Sequence, residues 1–336
     1  MATALTTEIL PTHTAALFNA AVQRAVTLLR AGEVVALPTE TVYGLAANAL
    51  DPVAVARIYE IKGRPAHNPI ICHVASHALA HRCVTGWPAL AEKLARAFWP
   101  GPLTLVLPRA EIIPDIVTAG GPTVGVRWPS HPFMQAVVAA CEFPLAAPSA
   151  NLSNQLSPTN ANHVQRQLGG RIRLIVDGGQ SQVGIESTVV DVSSAPPRLL
   201  RPGMIHEAAL LAVTGALATG ETAGILRSPG LLKKHYSPRA KLIVLRWRDD
   251  QDLLSQLARH EVKAGEACFI AHSTLPGGAE FRRVSVVPHD AEAFARALYS
   301  ELHACDEAGA KWIIVEALPD EPEWRPIADR LTRAAA

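Results

Sequence analysis

Only five cysteines occur in 336 residues (Cys72, Cys83, Cys141, Cys268 and Cys305), and no two are spaced as CxxC. The histidines near them lack zinc-finger spacing, so the sequence reads as a chain of reduced thiols in the cytoplasm. Charge of one sign is also missing. The 31 Lys and Arg nearly balance the 30 Asp and Glu, so a strongly basic nucleic-acid clamp is not expected, although a local basic patch is allowed. No apolar run approaches the roughly 20 residues that span a bilayer. The opening "MATALTTEILPTHTAAL" has no basic stretch followed by an apolar one, so no signal peptide is expected. The sequence contains no GxxxxGK[ST], no GxGxxG after a strand, no HExxH and no GxSxG. The standard phosphate-loop, dinucleotide, zincin and hydrolase signatures are thereby excluded.

What remains is apolar and orderly. Hydrophobic residues make up 49% of the chain, enough for a globular protein of two domains. Phe18, Val22, Ala25, Val26 and Leu29 recur at helical spacing, with Gly32 behind them. "EVVALPT", "NPIICHV", "LTLVLPR", "TVGVRWP", "PLAAPSAN", "RLIVDGG", "STVVDVS" and "PRLLRPG" read as strands. "DPVAVARIYEIKGRP" reads as a helix with Asp51 as N-cap, Pro52 in its first turn, and Gly63 and Pro65 at its end. "WPALAEKLARAFWPGP" and "SHPFMQAVVAAC" are two further helices. Strands and helices do not alternate strictly, which predicts a mixed twisted sheet flanked by helices. Near residue 206 the composition shifts. After "EAALLAVTGALA", a stretch rich in Gly, Pro, Ser and Lys reads as a linker. Beyond it, strands and helices alternate as in a small Rossmann-like parallel α/β domain. The expected boundaries are 15–212, a linker or lid at 213–240, and 241–336.

Several polar groups interrupt this apolar pattern. Lys62 and Arg64 flank a helix end, where cations meet the helix dipole favourably without any ligand. Pro65, Asn68 and Pro69 stiffen the loop behind them, and a stiff loop holding two cations and an amide also suits phosphate. His73 ends an apolar strand and reads most simply as a partly buried structural residue. "PTETVYGLAANA" brings Thr39, Glu40, Thr41 and Tyr43, which suit a small polar ligand or the cap of a following helix. Arg127 ends an apolar strand with Thr123 on the same face, and such an arginine needs an anionic partner from protein or ligand. "APSANLSNQLSPT" sets Ser149, Asn151, Ser153, Asn154, Ser157 and Thr159 after a strand, the usual place for ligand loops in α/β proteins and also an ordinary turn run. Glu186, Ser187 and Thr188 precede a strand and Arg201 ends another. His235 and Tyr236 lie in the linker, where an aromatic ring could cover a base or anchor the chain.

Together "KGRP…NPIICH", "TVGVRWP", "PSANLSNQLSPT", "ESTVVD", "RPG" and "LPTETVYGL" resemble the threonylcarbamoyl-AMP synthase family, with its YrdC-like core. The resemblance covers about residues 18–240. The linker "SPGLLKKHYSP" and the extra domain resemble the long two-domain form, with Leu231 where that form more often has Met. The resemblance implies synthesis of threonylcarbamoyl-adenylate from ATP, L-threonine and bicarbonate, with release of pyrophosphate. The product would serve modification of adenosine 37 in tRNAs reading ANN codons, through a separate transferase complex. It implies that Lys62, Arg64, Ser149 and Asn151 are catalytic. ATP would be held by Arg64, Asn68, Thr123, Ser149, Ser157, Arg201, His235 and Tyr236, and threonine by Thr41, His73, Arg127, Ala147 and Ser187. Mg²⁺ would come with ATP, and no residues are expected to hold a resident metal. A weak tRNA contact is a further expectation. Two rival readings fit less well. An RNA-binding module lacks an exposed basic run, and a carbamoyl-adenylate former of the hydrogenase-maturation kind lacks the extra segments of those proteins.

Overall fold

A computed structural model describes residues 5–218 and 236–336. Chain contacts divide it into two units. The first holds the described residues up to Ser153 and those from Ser157 to Ala218. The second holds Asn154–Leu156 and the described residues from Tyr236 onward.

The first unit is built on ten strands in chain order: β1 (Glu8–Pro11), β2 (Val35–Leu37), β3 (Gly44–Asn48), β4 (Ile71–His73), β5 (Leu103–Pro108), β6 (Thr123–Arg127), β7 (Leu145–Ala146), β8 (Leu174–Asp177), β9 (Thr188–Asp191) and β10 (Arg198–Arg201). They form one sheet in the order β1-β8-β2-β3-β7-β4-β6-β5-β9-β10. Pairing is mixed: β4 runs parallel to β6, while β7 runs antiparallel to β4 and β5 to β6. The central strands are buried on both faces and apolar, as a sheet covered by helices requires.

Helix α1 (Ala15–Arg30) starts where Thr14 accepts the Leu17 N–H and buries Val22, Ala25, Val26 and Leu29. Its Phe18 ring meets Phe133 edge-on at 5.2 Å, joining it to the helix Pro132–Cys141. Helix α2 (Pro52–Lys62) follows the expected grammar. Asp51 accepts the Val53 and Ala54 N–H groups, and Gly63 turns the chain out at φ 59°.

Some elements differ from the sequence reading. "GLAAN" is not a turn before a helix but strand β3, antiparallel to β2. Its alanines favour helix intrinsically, yet burial between β2 and β7 overrides that preference. β1 was not anticipated. It is an edge strand that ends on Pro11, where a missing N–H does no harm. The short helix α3 (His77–Arg82) and the helix Ala161–Leu168 were also missed, being six and eight residues long.

The second unit has strands β11 (Lys241–Leu245), β12 (Ala267–Ala271), β13 (Arg283–Val286) and β14 (Trp312–Glu316), in the order β11-β14-β12-β13. All pairs are parallel, as the clean alternation of strands and helices predicted. The five cysteines are buried and free. Among the described residues, no helix is long and apolar enough to cross a membrane.

Candidate active site

The C-terminal end of α2 delivers Lys62 into the interior, 3% exposed. Its ammonium donates to the Ser149 carbonyl at 2.6 Å, to the Asn151 carbonyl, and more loosely to Asn151 Oδ1 at 3.4 Å. Three acceptors match the three N–H donors of an ammonium. Burial, and then the Arg64 cation, push the Lys62 pKa well below the ordinary lysine value. All three acceptors are uncharged, and among the described residues no carboxylate is paired with Lys62. Such burial is costly unless an anion completes it.

Arg64 turns back on its own loop. Its Nε donates to the Asn68 carbonyl at 3.0 Å and its Nη2 to the Pro69 carbonyl at 2.6 Å. The loop is closed from the other side by Tyr59, whose hydroxyl donates to the same Asn68 carbonyl at 3.1 Å. The Asn68 side chain is buried, and its Oδ1 has no hydrogen-bond partner among the described residues. These residues are therefore not solvated helix-end cations. They build a rigid, buried, positively charged turn.

A second group sits across the sheet. His73 on β4 pairs in register with Arg127 on β6. Leu105 pairs with Val126 in the antiparallel neighbour, which puts Thr104 opposite Arg127. Arg127 is 4% exposed. Its Nη1 donates to Thr41 Oγ1 at 2.9 Å, and its Nη2 meets Glu40 Oε1 at 2.7 Å. The anionic partner expected for Arg127 is thus protein-borne. Burial pushes the Glu40 carboxyl up, but the Arg127 guanidinium and the Ser130 N–H outweigh it and hold the pKa below the usual value. His73 is buried, neither ring nitrogen has a hydrogen-bond partner among the described residues, and burial, then Arg127, hold its pKa well below 6.5.

The third group gathers at the start of β9. Ser187 Oγ lies 2.8 Å from Thr104 Oγ1, and Arg201 Nη2 donates to Ser187 Oγ at 3.1 Å. Next to it, Ser157 donates to Glu186 at 2.6 Å. Gly203 lets the chain pass here. A Cβ at this position would stand 2.5 Å from the Thr188 backbone nitrogen.

These groups are continuous. Thr104 links the second and third. Ala147, whose N–H reaches the Ile71 carbonyl at 3.1 Å, and Ser149 lie two residues apart on the stretch that links the first to the second. The pairing of Gly44 with Ser149 and the Ala150 N–H on the Tyr43 carbonyl at 2.8 Å lace this stretch to β3.

Not every expected residue joins them. Thr123 lies at the other end of β6, about 13 Å along the strand from Arg127. Tyr236 belongs to the second unit, where its ring is buried 5.8 Å from Tyr299 with the Arg330 guanidinium 5.6 Å above it. His235 and Leu231 lie outside the described residues. Glu40, Thr104 and Glu186 join the network without being among the expected site residues. Glu40 stands in a motif that suits a small polar ligand or a helix cap, Glu186 in sequence simply precedes a strand, and Thr104 is the only hydroxyl in the apolar run "LTLVLP".

A family profile described as "Telomere recombination" (Sua5, YciO and YrdC) matches residues 27–203. The profile of the threonylcarbamoyl-AMP synthase C-terminal domain matches residues 202–336. The threonylcarbamoyl-AMP synthase of Pyrococcus abyssi is 39% identical, covering 91% of this chain and 92% of its own length. That of Bacillus subtilis is 38% identical, covering 94% and 92%. The crystal structure of P. abyssi Sua5 complexed with L-threonine is 38% identical, covers 94% of both chains and superposes with a TM-score of 0.86. With two adjoining profiles and full-length relatives of this similarity, the chain belongs to the threonylcarbamoyl-AMP synthase family, enzymes of the nucleotidyltransferase type with a YrdC-like core.

Proposed function

We propose that this enzyme makes L-threonylcarbamoyl-adenylate from ATP, L-threonine and bicarbonate, releasing pyrophosphate. The observation that carries the reading is Lys62, a buried ammonium whose acceptors are all uncharged carbonyl oxygens, beside the buried Arg64 turn. Bicarbonate and the threonine amine give a carbamate with loss of water. A carbamate oxygen attacks the α-phosphorus, and the bond to the β-phosphate oxygen breaks. Negative charge builds on the α-phosphoryl oxygens and on the departing pyrophosphate. Lys62 and Arg64 neutralise it from fixed positions, which is the main service a protein can render to phosphoryl chemistry. Asn151 and Ser149 hold the Lys62 ammonium through their carbonyls. Asn68, Thr123, Ser157 and Arg201 complete the nucleotide side, with His235 and Tyr236 as the proposed cover. Mg²⁺ arrives on the ATP phosphates as part of the substrate.

Thr41, His73, Arg127, Ala147 and Ser187 form the threonine side. The P. abyssi relative solved with L-threonine supports this half of the reading. Neutral His73 offers a nitrogen lone pair to the ammonium form of threonine, and a hydroxyl such as Thr41 or Ser187 suits its polar groups. Residues 15–212 are the proposed catalytic domain, 213–240 a lid, and 241–336 its support. The adenylate product would pass in the cytoplasm to a transferase complex acting on adenosine 37 of tRNAs reading ANN codons, with weak direct tRNA contact.

Pyrophosphate release tests the reading. It should require ATP, L-threonine and bicarbonate together, and fall at least about a hundredfold in Lys62→Ala. Release that is indifferent to threonine or bicarbonate would reject it.

A further inference from the structure

Outside this site, α3 and the helix Ala89–Phe98 bring three metal-ligating side chains together. His77 and His81 lie four residues apart on α3 and so share one face. Glu92 stands in the first turn of the second helix. One ring nitrogen from each histidine and one Glu92 carboxylate oxygen lie within 4.8 Å of one another. We propose that His77, His81 and Glu92 bind a divalent transition-metal ion, of the zinc or cobalt type.

The simpler account is that the histidines only pack. The His77 ring stands 5.6 Å from Trp128 and 6.3 Å from Trp99, and the His81 ring 4.7 Å from Trp87. Packing explains the rings but not the polar atoms. His77 Nδ1 is buried and has no hydrogen-bond partner among the described residues, a state that costs free energy unless something else satisfies the ring. Packing also gives no reason for a carboxylate facing two imidazoles. Glu92 is held in place by the Trp87 indole N–H at 2.8 Å and Arg96 at 2.6 Å. An oriented ligand of this kind is what metal sites use. Arg96 is the exposed partner of that pair and can swing away when an ion arrives. Two imidazoles and one carboxylate favour zinc, cobalt or nickel over magnesium or calcium, and leave coordination positions for water.

Three tryptophans around the histidines supply the readout. The untagged full chain, without ATP, is titrated with Co²⁺ at neutral pH while tryptophan fluorescence and bound cobalt are followed. One quenching ion per chain is expected, bound at least about tenfold more weakly in both His81→Ala and Glu92→Gln. His81 is exposed, so its variant should fold, as circular dichroism would check. Wild-type-like binding in both variants overturns the proposal, and so does a wild type that binds no cobalt. Loss in His81→Ala alone overturns the three-ligand site.

Discussion

The Arg127 guanidinium and the Glu40 carboxylate meet at 2.7 Å, and the two side chains are 4% and 7% exposed. An ion pair this deep is a poor source of stability, because each charge has lost its water. It is a strong constraint all the same, since either charge left alone would be costlier. Glu40→Ala should therefore lower unfolding free energy by about 3–5 kcal/mol in urea titration. Replacing both residues with apolar side chains of similar size should recover most of that loss. A Glu40→Ala cost under about 1 kcal/mol would mean that the pair is not intact in solution.

His73 provides a pH test with a defined sign. Its folded pKa lies well below 6.5 because of burial and then Arg127. In the unfolded chain the ring titrates near 6.5. Below that pH the unfolded state takes up a proton that the folded state refuses, so stability falls as the solution is acidified. His73→Phe removes this penalty. Between pH 7.5 and 5.5 its stability relative to wild type should rise by about 1 kcal/mol. Parallel curves for the two proteins would show that His73 is charged, or solvated, in the native state.

Local chemistry explains what the sequence made legible. Asp51, Pro52 and Gly63 announce α2 because capping depends on neighbours in the chain, and they fix where Lys62 emerges. The parallel second unit was legible through the spacing of its strands and helices. The strand β3 was hidden because Leu45, Ala46 and Ala47 owe their conformation to β2 and β7, not to their own propensities. Ser149 and Asn151 could be paired with Lys62 only through the family resemblance, since 87 residues separate Lys62 from Ser149. The Glu40 partnership with Arg127 was out of reach for the same reason: sequence distance carries no information about which buried charges meet. The cluster of His77, His81 and Glu92 is half legible. The histidine spacing lies within one helix, and the carboxylate comes from another.

Gly203 explains why a glycine ends the "RPG" segment. A methyl group there would meet the Thr188 nitrogen at 2.5 Å and Thr188 Oγ1 at 2.7 Å, and the first of these is backbone. The start of β9, which carries Ser187, would have to move. Gly203→Ala should cost about 1–3 kcal/mol of stability. It should also raise the KM for threonine more than that for ATP, because Ser187 is on the threonine side of the proposed site. Unchanged kinetics in a destabilised variant would separate Gly203 from the site.

Lys62 joins stability to ligand binding. Burial, and then Arg64, lower its pKa, so the folded chain resists the proton that the unfolded chain binds. Wild-type stability should accordingly rise with pH, from the lowered folded value toward the ordinary lysine value of 10.5. Lys62→Met removes that slope but leaves the Ser149 and Asn151 carbonyls without their donor, at a cost of about 1–3 kcal/mol. A phosphate chain reverses the balance in the wild type, because an anion beside the ammonium favours its charged form. A non-hydrolysable ATP analogue should therefore raise the melting temperature of the wild type and not that of Lys62→Met. It should do so less as pH rises through the lowered pKa of Lys62. Equal stabilisation of both proteins by the analogue would place the phosphates elsewhere and leave the buried ammonium as a purely structural clamp.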